Sequence, residues 1–215
     1  MSKLVLYSDQ ILPAAKDVDE RMFALIGRDR PNIGYLPSSS DPERKWFRAC
    51  QDYYSHYRIG LDLYFGLDQA YEPGKLDLLM SCDAIHLSGG NTYLFLHRLS
   101  TRNMLEPLRS FVSNGGVLIG VSAGAILMTS HVSTASLCGD SPVDDAAEDS
   151  GLGLVDFGFV PHMGRFDIGV PEVSECSRQL QTTVYGCPDG GGIVVDDDQI
   201  ECIGDIVVAT RGTVQ

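Results

Sequence analysis

Positive charge is scarce in this chain: 16 lysines and arginines stand against 29 aspartates and glutamates, a formal net charge of −13. A surface so acidic repels phosphates, which argues against nucleic acid or an anionic membrane as a partner. Long apolar runs are missing too. Nothing approaches the roughly 18 residues that a membrane-spanning helix requires, and the apolar stretch in the opening MSKLVLYSDQ is too short for the core of a secretion signal. A cytoplasmic protein is therefore expected. No two of the six cysteines form CxxC, and the spacings of Cys50, Cys82, Cys138, Cys176, Cys187 and Cys202 suit no common zinc pattern. Reduced, mostly buried thiols are expected, with no metal and no cofactor. Internal repeats and low-complexity linkers are absent as well, so the 215 residues are expected to form one domain, 1–215. The densest acidic tracts, Asp144–Asp149 and Asp196–Asp198, read as a loop and a turn.

What is present is an alternation of β-rich apolar runs and helix-period segments. Strands are expected at Lys3–Ser8, Asn32–Leu36, Leu61–Phe65, Ala84–Leu87, Val117–Val121, Val155–Val160 and Val184–Cys187, with short strands over Gly192–Val208. Between them, Asp17 with Glu20 and Ser40 with Glu43 have the spacing of capping boxes; the second would open a helix running to about Tyr57. The aromatic residues on that helix, Trp46, Phe47, Tyr53, Tyr54 and Tyr57, are expected to pack in the core. Further helices are expected at Lys75–Met80, Thr92–Leu99, Leu105–Asn114 and Glu172–Thr183. Such alternation predicts an α/β fold: a mostly parallel central sheet with helices on both faces and the strand carboxyl ends along one edge. Ligands of such sheets sit beyond those ends.

Three motifs fall there. Gly120-Val121-Ser122-Ala123-Gly124 is a G-x-S-x-G turn between a strand and a helix. A serine on so tight a turn is pushed out of the sheet edge, small neighbours let the helix pack close, and the amide of Ala123 can face a developing oxyanion. A serine hydroxyl needs a base. Of the five histidines, only His162 lies just past an expected strand end; His131, nine residues beyond Ser122, is the weaker competitor because it points poorly at the elbow. The base needs a carboxylate to orient it. Asp189, just after the strand ending at Cys187, is preferred, and Asp140, in the loop Gly139–Pro142, is the alternative. Ser88-Gly89-Gly90-Asn91-Thr92 supplies free amides at a strand end, with Gly90 the preferred second oxyanion donor, Gly89 another, and Asn91 able to cap the next helix.

Taken together, SGGNTYLFL, GGVLIGVSAGAILMT, FVPHM and CPDGG resemble the peptidase E family of aspartyl dipeptidases and cyanophycinase relatives, in the same order and over most of the chain. The resemblance implies a three-layer α/β/α sandwich like that of class I glutamine amidotransferases. It implies Ser122 as nucleophile, His162 as base, Asp189 or Asp140 as the acid, and the Gly89-Gly90 segment in the oxyanion hole. The expected activity is hydrolysis of small peptides, in a chain that could pair as a homodimer. Three features of the family pattern differ: Val121 stands where a tryptophan commonly precedes the nucleophile, Val173 stands where an arginine binds the aspartyl side chain, and the triad acid is an aspartate rather than a glutamate, one methylene shorter, which demands a closer approach. Arg165 or Arg178 would have to replace that arginine, and Asn91 and Arg165 are the expected substrate contacts. With the arginine gone, a second reading stays open: a member of the same fold that binds a small ligand without turning it over, or an esterase with the same triad.

Overall fold

In the computed structural model, which describes residues 2–68, 73–142 and 149–215, the strands form two sheets that share one apolar core. The larger has seven strands in the order β3-β2-β4-β5-β1-β8-β9. Its parallel part comprises β1 (Lys3–Tyr7), β2 (Ile33–Leu36), β3 (Leu63–Tyr64), β4 (Ala84–Leu87) and β5 (Val117–Val121). On the far side of β1, β8 (Gly192–Asp196) and β9 (Gln199–Ile203) run antiparallel. β1, β2, β4 and β5 are apolar at nearly every position because both faces are covered. Val5 and Tyr7 pack with α1 (Lys16–Ile26) and α2 (Lys45–Ser55), while Leu4 and Leu6 face a cluster holding residues of α4 (Thr92–Thr101), α5 (Leu105–Ser113) and α6 (Ala123–Ile126). α3 (Pro73–Met80) joins that second face through Leu79. The expected three-layer α/β/α arrangement is thus present.

Both expected capping boxes are absent. Asp17 lies inside α1, whose start carries no side-chain cap. Its neighbour Asp19 is buried on the sheet side and accepts hydrogen bonds from the hydroxyls of Tyr7, Tyr53 and Tyr57 at 2.5–2.7 Å. α2 begins later than expected, and Asp41 rather than Ser40 holds it. The Asp41 carboxylate accepts from the amides of Lys45, Trp46 and Phe47 at 2.8–3.1 Å. One carboxylate so takes up three of the amides that a helix start leaves without carbonyl partners. The aromatic stripe of α2 is only partly core: Phe47 and Tyr54 are buried, whereas Trp46 is 58% exposed.

The second sheet was not foreseen. It has four strands, β11-β10-β7-β6, from β6 (Gly158–Met163), β7 (Thr183–Pro188), β10 (Val207–Thr210) and β11 (Thr213–Val214). α7 (Val170–Leu180) covers one side of it through Val173, and Phe159 and Cys187 on the other side join the core of the large sheet. The strands containing His162 and preceding Asp189 therefore belong to a sheet different from that of Ser122. The segment from Asp189 to Gly191 leads out of β7 into β8, so it crosses from one sheet to the other. The Asp196–Asp198 turn lies between β8 and β9 as expected, while the other acidic tract falls, except for Asp149, outside the described residues.

Candidate active site

Ser122 sits immediately after β5 with φ 51° and ψ −108°, a backbone conformation that a non-glycine residue adopts only under local constraint. The constraint comes from both sides. Its amide donates to the Tyr7 carbonyl at the end of β1, and its carbonyl accepts from Ala125 and Ile126. The motif glycines are explained by closeness: a Cβ on Gly120 would run into the backbone of Gly124 and Ala125, and one on Gly124 into the carbonyl of Leu87. α6 is a single turn, Ala123–Ile126. What it offers is therefore the local N–H of Ala123, unsatisfied as a first-turn amide must be, rather than a strong macrodipole.

The imidazole arrives from the other sheet. His162 does not lie past a strand end but within β6, at a bulge between Val160 and Met163, with φ 60°. A bulge turns one side chain out of the pleat's alternation, and the result is a contact of 2.9 Å between His162 Nε2 and Ser122 Oγ. His162 Nδ1 lies 2.6 Å from Asp189 Oδ1. The base and the acid are both largely shielded, with 13% and 16% of their side-chain surface exposed. Burial pushes the Asp189 carboxyl up, but hydrogen bonds from Arg165 (2.7 Å), His162 and Ser8 (2.9 Å) outweigh it and hold the group below its ordinary value. Asp189 is thus ionised and aimed at the imidazole.

Asp140 is elsewhere. Its carboxylate accepts from the Thr92 amide at 2.7 Å and from Asn91 Nδ2 at 3.3 Å. Asn91 in turn caps α4 by accepting from Leu94 N at 2.8 Å. Neither is hydrogen-bonded to His162: Asp140 holds the start of α4 and Asn91 caps that helix. His131, the competing histidine, is exposed and lies 4.0 Å from Asp149. Val173 is buried against the second sheet, and Arg178 pairs with Glu175 on the surface of α7. Arg165 directs one guanidinium nitrogen to Asp189 at 2.7 Å while its side chain stays 54% exposed.

Gly89 and Gly90 lie where expected. The Gly89 Cα stands beside Ser122, and the Gly89 carbonyl accepts from Ser38 (2.6 Å) and Ser88 (2.9 Å). In a trans peptide the following N–H points opposite to that carbonyl, so two serine hydroxyls fix the direction of the Gly90 amide. Gly90 has φ 133°, and a Cβ there would collide with Ser38. Next to this turn opens a cavity of about 480 Å³. Tyr35, Trp46, Tyr53 and Val121 contribute to its wall, with His86 and Asp9 among its polar groups; among the described residues that line it there is no lysine or arginine.

Sequence reasoning missed Ser8, Asp9 and Ser38. Ser8 accepts the His162 amide at 2.7 Å and donates to Asp189, tying base and acid to the end of β1. Asp9 lies beside it, with one carboxylate oxygen within 4.8 Å of ligand atoms of both His162 and Asp189. The signal was available: Ser8 and Asp9 follow directly on β1, by the same strand-end rule that singled out Ser122.

The profile of peptidase family S51 matches residues 4–203. The chain belongs to that family. A peptidase E from Nostoc sp. (strain PCC 7120) is 27% identical over 195 residues, covering 83% of this chain and 75% of the relative. Other peptidase E relatives, from Shewanella, Salmonella and Citrobacter, are matched over 55–61% of their own length. A peptidase from an acI-B1 Actinobacterium shares the fold at a TM-score of 0.73, with 16% identity, 100% of this chain and 93% of that one covered. As an S51 member, the chain is a serine-type peptidase. Among the described residues, no helix is long and apolar enough to cross a membrane.

Proposed function

We propose that this chain hydrolyses amide bonds of small peptides through an acyl-enzyme on Ser122. Carrying the reading is one observation: a serine oxygen 2.9 Å from an imidazole whose other nitrogen lies 2.6 Å from a carboxylate. In the first step Ser122 Oγ attacks the scissile carbonyl carbon and its proton passes to His162 Nε2. Asp189 accepts the Nδ1–H bond, keeps the ring in the tautomer with Nε2 free, and stabilises the imidazolium. The tetrahedral oxyanion is met by the amides of Gly90 and Ala123, with the Gly89 peptide held in place by Ser38 and Ser88. Collapse breaks the C–N bond, and the Nε2 proton leaves with the amine. A water activated by His162 then releases the acid and restores Ser122.

The cavity beside Gly90 favours short substrates, since its volume suits one side chain and its neighbouring backbone. Six free thiols fit a reducing compartment, and the cytoplasm is the proposed location. A fluorophosphonate probe tests the nucleophile. It should label the wild-type protein stoichiometrically and leave Ser122→Ala unlabelled, with the variant folded by circular dichroism. Equal labelling of both proteins ends the assignment.

A further inference from the structure

Resting on the peptidase reading above, the arrangement around Asp9 assigns the substrate end that this site reads. We infer that the Asp9 carboxylate binds the free α-ammonium of a peptide's first residue, while the cavity bounded by Tyr35, Trp46 and Tyr53 takes that residue's uncharged, preferably aromatic, side chain. The chain would then remove a single non-acidic residue from an unblocked amino terminus.

Position comes first. β1 and β5 are parallel neighbours with Tyr7 opposite Val121, so Ser8 and Ser122 leave adjacent strands at the same level and Asp9 follows one residue beyond. An Asp9 carboxylate oxygen lies within 4.8 Å of a His162 ring nitrogen, and Ser122 Oγ is 2.9 Å from Nε2 of that ring. In a peptide with a free amino terminus, the α-nitrogen is two bonds from the carbonyl carbon that Ser122 attacks. A cation that close to the reacting carbon falls within reach of Asp9. An internal peptide bond would instead place a neutral amide and a continuing chain there.

Charge comes second. Asp9 is half-buried, and burial together with the Asp189 charge pushes its carboxyl up. The nearby Arg165 directs its guanidinium to Asp189. Asp9's own hydrogen bond is to the adjacent Gln10 amide, at 2.9 Å. A substrate ammonium would supply the missing strong donor and, with Asp189 already paired, relieve the repulsion between the two carboxylates. The backbone holding Asp9 is set: its carbonyl accepts from Gly190, and the preceding Ser8 amide donates to Gly191.

The cavity supplies the third element. It borders Gly89, Gly90 and Val121, the residues around the nucleophile, and also Asp9. Its other carboxylate, Asp41, is spent on three amides of α2. His86, held neutral by burial at a value of about 3, brings no positive charge. An acidic side chain entering this space would lose its water, meet no cation and sit near Asp9, which disfavours it. The aromatic faces and the half-exposed Trp46 at the wall suit a ring or an aliphatic chain.

The test compares matched substrates on the whole protein: Phe-Ala, N-acetyl-Phe-Ala and Asp-Ala, with fluorophosphonate labelling run in parallel. Wild type should cleave Phe-Ala and release free phenylalanine, with Asp-Ala and the acetylated dipeptide each at least tenfold slower in kcat/KM. Asp9→Asn should lower the free-to-acetylated ratio by about 10- to 100-fold, mostly through a higher KM for Phe-Ala, as expected for losing a hydrogen bond to a charged group. Both substrates use the same Ser122, so the ratio is insensitive to any change in its reactivity. Labelled wild-type protein that hydrolyses the acetylated and free dipeptides equally, or prefers Asp-Ala, overturns this inference and leaves the peptidase reading standing. An unchanged ratio in Asp9→Asn also overturns it. Wild-type protein that takes up no label sinks both readings together.

Discussion

His86 gives the sharpest quantitative test of the packing behind the site. It is 3% exposed on β4, with its ring stacked on Tyr35 at 5.3 Å and edge-on to Tyr54 at 5.8 Å. Its polar neighbours are the Tyr54 hydroxyl, 3.1 Å from Nδ1, and the Cys50 sulfur at 3.8–3.9 Å. Among the described residues no carboxylate is bonded to the ring, and burial drives the group from 6.5 down to about 3. Between those values the unfolded chain binds a proton that the folded chain refuses. Stability from this residue is therefore whole above about pH 6.5 and drains away as the pH falls toward 3. At pH 4.5, two units below the unfolded value, the loss is about 3 kcal/mol, from roughly 1.4 kcal/mol per unit. Urea unfolding at pH 7 and pH 4.5, for wild type and His86→Phe, measures it. The variant keeps the stacking and loses the Tyr54 contact, a cost that does not depend on pH. Its acid loss should be smaller than that of wild type by about 3 kcal/mol, on the order of 1 M in urea midpoint or more. Asp189 and Asp9 titrate in both proteins and drop out of the difference. Equal acid loss in the two proteins refutes the claim that burial of this imidazole costs what its surroundings imply.

Other outcomes follow from the same geometry. Asp189→Asn should cut kcat by roughly 10³- to 10⁴-fold by allowing the wrong imidazole tautomer, whereas Asp140→Asn should change kcat only a few-fold and cost about 1 kcal/mol of stability at the start of α4; steady-state kinetics and thermal melting separate the two acids. Arg165→Gln removes the first of the hydrogen bonds that hold the Asp189 carboxyl down, so that carboxyl should titrate at higher pH than in wild type when followed by NMR, and an unmoved titration would deny Arg165 that part. Asp41→Ala strips three amides at the start of α2 of their acceptor and should lower stability by about 1–3 kcal/mol in denaturant unfolding. Gly124→Ala drives a methyl into the Leu87 carbonyl; overpacking of this kind costs about 1–3 kcal/mol, and its fluorophosphonate labelling should fall as the elbow shifts.

Much of the large sheet was legible because its strands are short, apolar on both faces and punctuated by glycine. Ala84–Leu87 and Val117–Val121 were placed to the residue, and with them Ser122 and Gly89-Gly90. Helix beginnings were not. Asp17, Ser40 and Glu43 have the right spacing for caps, but Asp41 reaches three amides of α2, and α1 starts before Asp17. A capping motif states what a side chain can do locally, and tertiary contacts choose among several equivalent candidates.

By itself, then, the order of residues determined which serine stands at a strand-to-helix elbow, which glycines must flank it, and that a histidine and an aspartate further along could complete the chemistry. Those properties depend on steric and chemical rules acting over a few neighbours. Only the tertiary structure decided that His162 lies in a second sheet and Asp189 directly after one of its strands, that a bulge in β6 aims the imidazole, that Ser8 ties His162 to Asp189, and that an Asp9 carboxylate oxygen comes within 4.8 Å of both. Each of these joins residues 25 or more positions apart, through packing of two sheets against one core. No local pattern records which of many compatible strand pairings buries that core best.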